Sequence, residues 1–122
     1  VTLISGVGVD AVDVARFGAA LGRHPAIAAR LFTDGERSEA AGDVQRLAAR
    51  FAAKEAAMKA LGRGIGAFGW HDVEVVRADG GAPSLRVTAR AASLARGRGV
   101  SRWHVSLTHT ATVAVAMVVA EE

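Results

Sequence analysis

The stretch Asp43–Gly62, DVQRLAARFAAKEAAMKALG, leaves little choice but a helix. Ala, Leu, Lys, Arg, Glu and Met fill it, nearly all strong helix formers. Asp43 is placed to cap its N-terminus and Gly62 to close its C-terminus. Val44, Leu47, Phe51, Met58 and Leu61 form an apolar stripe at helical spacing with one turn skipped, and Glu55 occupies that turn. A carboxylate among core residues must be paired, hydrogen-bonded or bound to a cation. Lys59, at i+4, offers the plainest partner, so spacing alone favours a partly exposed Glu55–Lys59 pair at the helix edge. Arg46, Arg50 and Lys54 are each four apart and predict a basic face beside the stripe. Such a face is either solvated or an anion site whose mutual repulsion a bound phosphate relieves.

The rest of the chain reads as a mixture of helices and strands without regular alternation, which predicts an α+β fold: an antiparallel sheet packed with one long helix and shorter helices. LISGVGVD predicts a buried strand ending at Asp10, with a helix following from about Asp13. A short helix begins at Pro25, and Thr33 with Glu36 fits a capping box opening another. After the long helix comes the glycine-rich loop GRGIGAFG. WHDVEVVR and LRVTAR predict strands joined by a turn over DGGAPS, and an Ala-rich helix follows near 88–96. WHVSLTH and TVAVAMVVA predict a closing antiparallel pair connected around His109 to Ala111. No repeat or linker divides the 122 residues, so a single domain over 1–122 is expected.

The absence of cysteine excludes disulfides, thiolate metal sites and cysteine nucleophiles. His24, His71 and His104 share no metal-ligand spacing. VAVAMVVA is too short to span a bilayer, and the N-terminal residues lack the pattern of a secretory signal, so a cytoplasmic protein without membrane contact is expected. The net charge of +3 favours acidic or phosphate-bearing partners. A nucleic-acid-binding module is the rival reading of that charge. Few aromatics, no tyrosine and no nucleic-acid motif count against it.

Chemistry gathers at three places. Asp10 follows the apolar run GVGV at a strand end. Glu55 interrupts the helix stripe, and the basic face runs beside it. Two carboxylates meeting near cations describe a Mg²⁺ site, because magnesium takes one or two carboxylates and completes its shell with water and phosphate. Gly62, Gly64, Gly66 and Gly69 permit close backbone approach to a ligand. They lie at a helix C-terminus, the wrong end for dipole-assisted phosphate binding, so side-chain cations would have to neutralise a phosphate there.

GVGVDAVDVARF, RFAAKEAAMKALG and SLTHTATVAVAMVVAE, in that order, resemble the 4′-phosphopantetheinyl transferases, and most closely the small holo-acyl-carrier-protein synthases. The resemblance covers nearly the whole chain, and FAAKEA followed by KALG is its specific part. It implies Mg²⁺-dependent transfer of phosphopantetheine from coenzyme A to a serine of an apo acyl carrier protein, releasing adenosine 3′,5′-bisphosphate. The carrier would serve fatty-acid or polyketide synthesis. It also implies a homotrimer with active sites at subunit interfaces. By resemblance Asp10 and Glu55 are the metal ligands, and with Lys59 the catalytic set. Arg50, Lys59, Gly62, Gly64, His109 and Thr110 fall at coenzyme A positions, and Arg16 at a carrier-protein position. The chain departs from the larger members in having DAV where they carry an Asp-x-Glu pair. Arg63 also stands between the glycines, where small uncharged residues are commoner.

Overall fold

The computed structural model describes residues 2–78 and 80–122. The elements run β1 (Ile4–Asp13), α1 (Val14–Arg23), α2 (Ala26–Leu31), α3 (Asp34–Ala40), α4 (Val44–Ala60), β2 (Val73–Arg77), β3 (Pro83–Val87), α5 (Ala89–Gly97), β4 (Arg102–His109) and β5 (Val113–Glu121). A single 3₁₀ turn, Trp70–Asp72, precedes β2. The three-stranded sheet has the order β1-β5-β4, and β2 and β3 form a separate pair, both antiparallel. The α+β expectation therefore holds.

Small side chains set the distance between α4 and the sheet. Ala48, Ala49, Ala52, Ala53, Ala56, Ala57 and Ala60 are all buried, so α4 is enclosed on far more of its circumference than the predicted stripe. Facing it, Ala114, Ala116, Val118 and Ala120 alternate inward along β5. On β1, Gly6 and Gly8 lie directly against the helix backbone. A Cβ on Gly6 would collide with the Ala60 carbonyl, and one on Gly8 with that of Ala56. The glycines of GVG thus have a packing reason that no local pattern announces. Asp10, two residues beyond Gly8 on the same face of the strand, is aimed at the same helix.

Two expectations need correction. β1 runs on to Asp13, which caps α1 through Arg16 N at 2.9 Å, and it is buried on one face only. Val7 and Val9 point outward and are each 56% exposed, because no element among the described residues covers that side of the sheet. The predicted basic face also dissolves. Arg46 is exposed, Arg50 is buried, and Lys54 is wholly buried. Lys54 Nζ donates to Glu36 Oε1 (2.8 Å) and to the carbonyls of Trp70 (2.9 Å) and Val73 (2.5 Å). Its three donors are all satisfied, which is what makes a buried cation tolerable. Glu36 in turn accepts from Thr33 N and Val75 N, so one ion pair ties α3, α4 and β2 together. Burial lowers the Lys54 pKa, opposed by the Glu36 charge.

The remaining boundaries moved little. The Thr33–Glu36 capping box is present, as are the Asp43 cap and the Gly62 closure. Pro83 and Ser84 join β3 rather than the predicted turn, and Asp79 of that turn lies outside the described residues. Trp70 and Trp103 are half-buried and pack on the core, and Phe51 meets both Phe17 and Trp70 at ring-centroid distances of 5.1 and 5.2 Å. Ala41 ends α3 in the left-handed region (φ 51°), a conformation that suits glycine. Ala41→Gly should therefore raise stability by about 0.5–1 kcal/mol in urea unfolding, with the unfolding slope unchanged.

Candidate active site

Where β1 crosses α4, Asp10, Glu55 and Lys59 come together. Lys59 Nζ donates to Asp10 Oδ1 and to the Val9 carbonyl, both at 3.0 Å. Its ion pair is thus with Asp10, not with Glu55 as spacing alone favours. The cause is tertiary: the Gly6–Gly8 approach brings Asp10 onto the helix face within reach of Lys59. Glu55 is half-buried, and its carboxyl pKa is raised, first by burial, then by the nearby Asp10 charge, with Lys59 acting in opposition. Two carboxylates that repel each other across a partly desolvated space are what a divalent cation relieves. Among the described residues no third His, Asp or Glu joins them in a metal-holding group. Magnesium needs none, since water and ligand phosphate complete its shell. The donor set fits that ion.

Arg50 and His109 lie elsewhere. They line a cavity of about 540 Å³ together with Glu39, Arg46, Ala49, Arg77, Gly80, Leu107 and Thr108. Arg50 is 5% exposed; its Nη1 donates to the Arg46 carbonyl at 3.2 Å, and its buried Nε has no partner among the described residues. Burial lowers its pKa, and the carboxylates of Glu36 and Glu39 oppose the shift. An arginine held in a pocket with a donor unspent, flanked by Arg46, Arg77 and His109, suits an anion such as a phosphate. Thr110 holds the adjoining turn: its Oγ1 accepts from Thr112 N (3.2 Å) and Val113 N (3.1 Å).

The candidate residues therefore fall into two groups. Asp10, Glu55 and Lys59 sit at the β1 edge of the sheet, with Gly62 and Gly64 one turn further on. Arg50, His109 and Thr110 belong to the β4 side, with β5 between. On α4 itself, Lys59 lies nine positions after Arg50, which at about 100° per residue sets the two on opposite sides of the helix. Arg16 is exposed on α1 and borders a shallow groove with Ala11, Val12, Asp13, Phe17 and Ala20. Sequence reasoning missed Arg77 and Thr108 as neighbours of Arg50. Arg77 ends a strand without any motif around it, and the outward alternation of β4 was the one available signal for Thr108.

Comparison with known proteins bears on the whole arrangement. Residues 6–118 match the 4′-phosphopantetheinyl transferase superfamily. The holo-[acyl-carrier-protein] synthase of Frankia casuarinae is 58% identical over 118 residues, 97% of this chain and 98% of its own. Among solved structures, holo-[acyl-carrier-protein] synthase from Neisseria meningitidis superposes with a TM-score of 0.88 at 33% identity, covering 98% of this chain and 100% of that one. A holo-(acyl-carrier-protein) synthase from Bacillus anthracis, solved in complex with CoA (3′,5′-ADP), gives 0.80 at 34% identity, with 98% and 97% covered.

Proposed function

The chain belongs to the 4′-phosphopantetheinyl transferase superfamily, and from that membership we propose that it is a holo-acyl-carrier-protein synthase whose transfer site combines residues of two copies. The observation that carries this reading is the cluster of Asp10, Glu55 and Lys59 where β1 meets α4. The reaction is displacement at the β-phosphorus of coenzyme A by a carrier serine. The serine oxygen bonds to phosphorus, and the bond to adenosine 3′,5′-bisphosphate breaks. Such a transfer needs positioning and charge neutralisation more than a protein nucleophile. Asp10 and Glu55 would hold Mg²⁺, which when bound supplies positive charge to the pyrophosphate oxygens. Lys59 has spent two of its three donors on Asp10 and Val9, leaving the third for a phosphate oxygen. The serine proton would pass through a water to a carboxylate oxygen of the Asp10–Glu55 pair. Gly62 and Gly64 would allow coenzyme A to lie close to the protein backbone.

Two features support association of copies with shared sites, which the family resemblance would make a homotrimer. First, the outward face of the sheet presents Val7 and Val9 on β1 beside Met117 on β5, all about half exposed. A contiguous uncovered apolar sheet face favours burial against another copy. Second, the cationic pocket of Arg50 and His109 lies on the far side of α4 from Lys59. One coenzyme A reaches both groups most simply if the β1 edge of one copy abuts the β4 side of the next. Arg50, His109 and Thr110 then bind its phosphates from the neighbouring copy. Carrier proteins are acidic, and Arg16 beside its groove would meet one near Asp10. Arg16→Glu should raise the Michaelis constant for carrier by about tenfold or more while leaving that for coenzyme A unchanged. Equal changes in both would remove Arg16 from the docking surface. Among the described residues no helix is long and apolar enough to cross a membrane, and the proposed setting is the cytoplasm.

The reading is tested by incubating the protein with coenzyme A, Mg²⁺ and apo-carriers of fatty-acid and polyketide synthesis. The expected result is a carrier mass gain of one phosphopantetheine, abolished by a chelator. No gain on any carrier would reject it.

A further inference from the structure

Arg98, just beyond α5, does something the reaction scheme has not used. Its Nη1 donates to the Leu61 carbonyl at 2.6 Å, and its Nη2 reaches the Ser5 carbonyl at 3.4 Å. Ser5 Oγ donates back to the Arg98 carbonyl at 3.4 Å. The guanidinium thus joins the last turn of α4 to the start of β1. Gly62 is in the left-handed region (φ 69°), and the position a Cβ would take there lies 2.8 Å from Arg98 Nη1. The Nη1 end of the arginine lies against the first residue of the glycine-rich loop.

The helix end is otherwise closed by its own backbone: Arg63 N donates to the Met58 carbonyl and Gly62 N to that of Lys59, both at 2.9 Å. These are the two bonds of a Schellman closure, and they leave the Leu61 carbonyl unspent. Arg98 takes it. A cation at a helix C-terminus is also favourably placed against the helix dipole. Beyond this point the loop has few anchors: nothing lies within 4 Å of a Cβ built on Gly64 or Gly66, and Ile65 is 73% exposed. The direction in which Gly64 leaves the helix is therefore set at Leu61 and Gly62.

We propose that Arg98 is a positioning residue for coenzyme A, holding the Gly62–Gly64 loop in the conformation that receives the nucleotide by clamping Leu61 and Gly62 to β1. This rests on the reading that the loop contacts coenzyme A. Arg98 itself touches no reacting atom, so its loss should act on binding rather than on the chemical step.

The test compares Arg98→Ala and Arg98→Lys with Gly64→Val in steady-state transfer and in amide hydrogen exchange. Gly64 has open space around it and no left-handed φ, so a valine fits the fold there. Arg98→Ala should raise the Michaelis constant for coenzyme A about tenfold, the scale of one lost charge-assisted hydrogen bond. The turnover number and the Michaelis constant for carrier should stay within about twofold. Amides 62–66 should exchange faster, and Arg98→Lys should recover part of both effects. If Gly64→Val weakens coenzyme A binding and Arg98→Ala does not, the clamp is overturned while the loop's contact stands. If Gly64→Val is also without effect, the loop does not meet coenzyme A, and both readings fall. A fall in turnover number and thermal midpoint with both Michaelis constants unchanged would make Arg98 merely structural.

Discussion

Glu55→Gln should reduce transfer by about 10³-fold or more, equivalent to ~4 kcal/mol of lost transition-state stabilisation, and leave the fold intact. The substitution keeps the shape of a half-buried side chain and removes only its charge. In the free protein this relieves a strain: burial and the Asp10 charge both disfavour ionised Glu55. The variant should therefore be as stable as the parent or slightly more so, while it fails at transfer. That opposition separates a functional carboxylate from a structural one. Carrier mass gain and a thermal melt, made on the same preparation, check both halves. Transfer near the parent rate would remove Glu55 from the site.

Gly8→Ala should be, with Gly6→Ala, among the most damaging single methyl additions in the described structure. Its Cβ would occupy the place of the Ala56 carbonyl, in the middle of the β1–α4 contact, and backbone cannot move aside as a side chain can. Overpacking of this kind should cost about 3 kcal/mol in denaturant unfolding. The separation of strand and helix would also draw Asp10 away from Glu55 and Lys59, so the fraction still folded should transfer poorly. Gly22, on the exposed side of α1 with open space around it, is the control. Gly22→Ala should be neutral or slightly stabilising. If Gly8→Ala behaved in the same way, the close approach would not be what sets the site.

These two residues also mark what could and could not be read before folding. The boundaries of α4 were legible because caps are local: Asp43 bonds to Arg46 N, and Gly62 closes on Lys59. The Thr33–Glu36 box was legible for the same reason. The partner of Lys59 was not. Asp10 lies 49 residues away, and only the meeting of two glycines with a helix backbone brings it near. Lys54 misled for a related reason. At helical spacing from Arg46 and Arg50 it reads as surface charge, yet its acceptors come from α3 and from carbonyls before and within β2. Periodicity finds the face a side chain occupies, not what covers that face. Nor could one chain's pattern divide the candidate residues into two groups. That division follows from strand order, which places β5 between Asp10 and His109.

The claim that one site draws on two copies is tested most directly by mixing subunits. Glu55→Gln and Arg50→Met variants, each defective alone, are unfolded together, refolded and assayed on apo-carrier. If Glu55 of one copy works with Arg50 of the next, random assembly into rings gives both intact residues to about one site in four, and transfer should return to about a quarter of the parent rate. A mixture no more active than the sum of its two components would contradict the shared site.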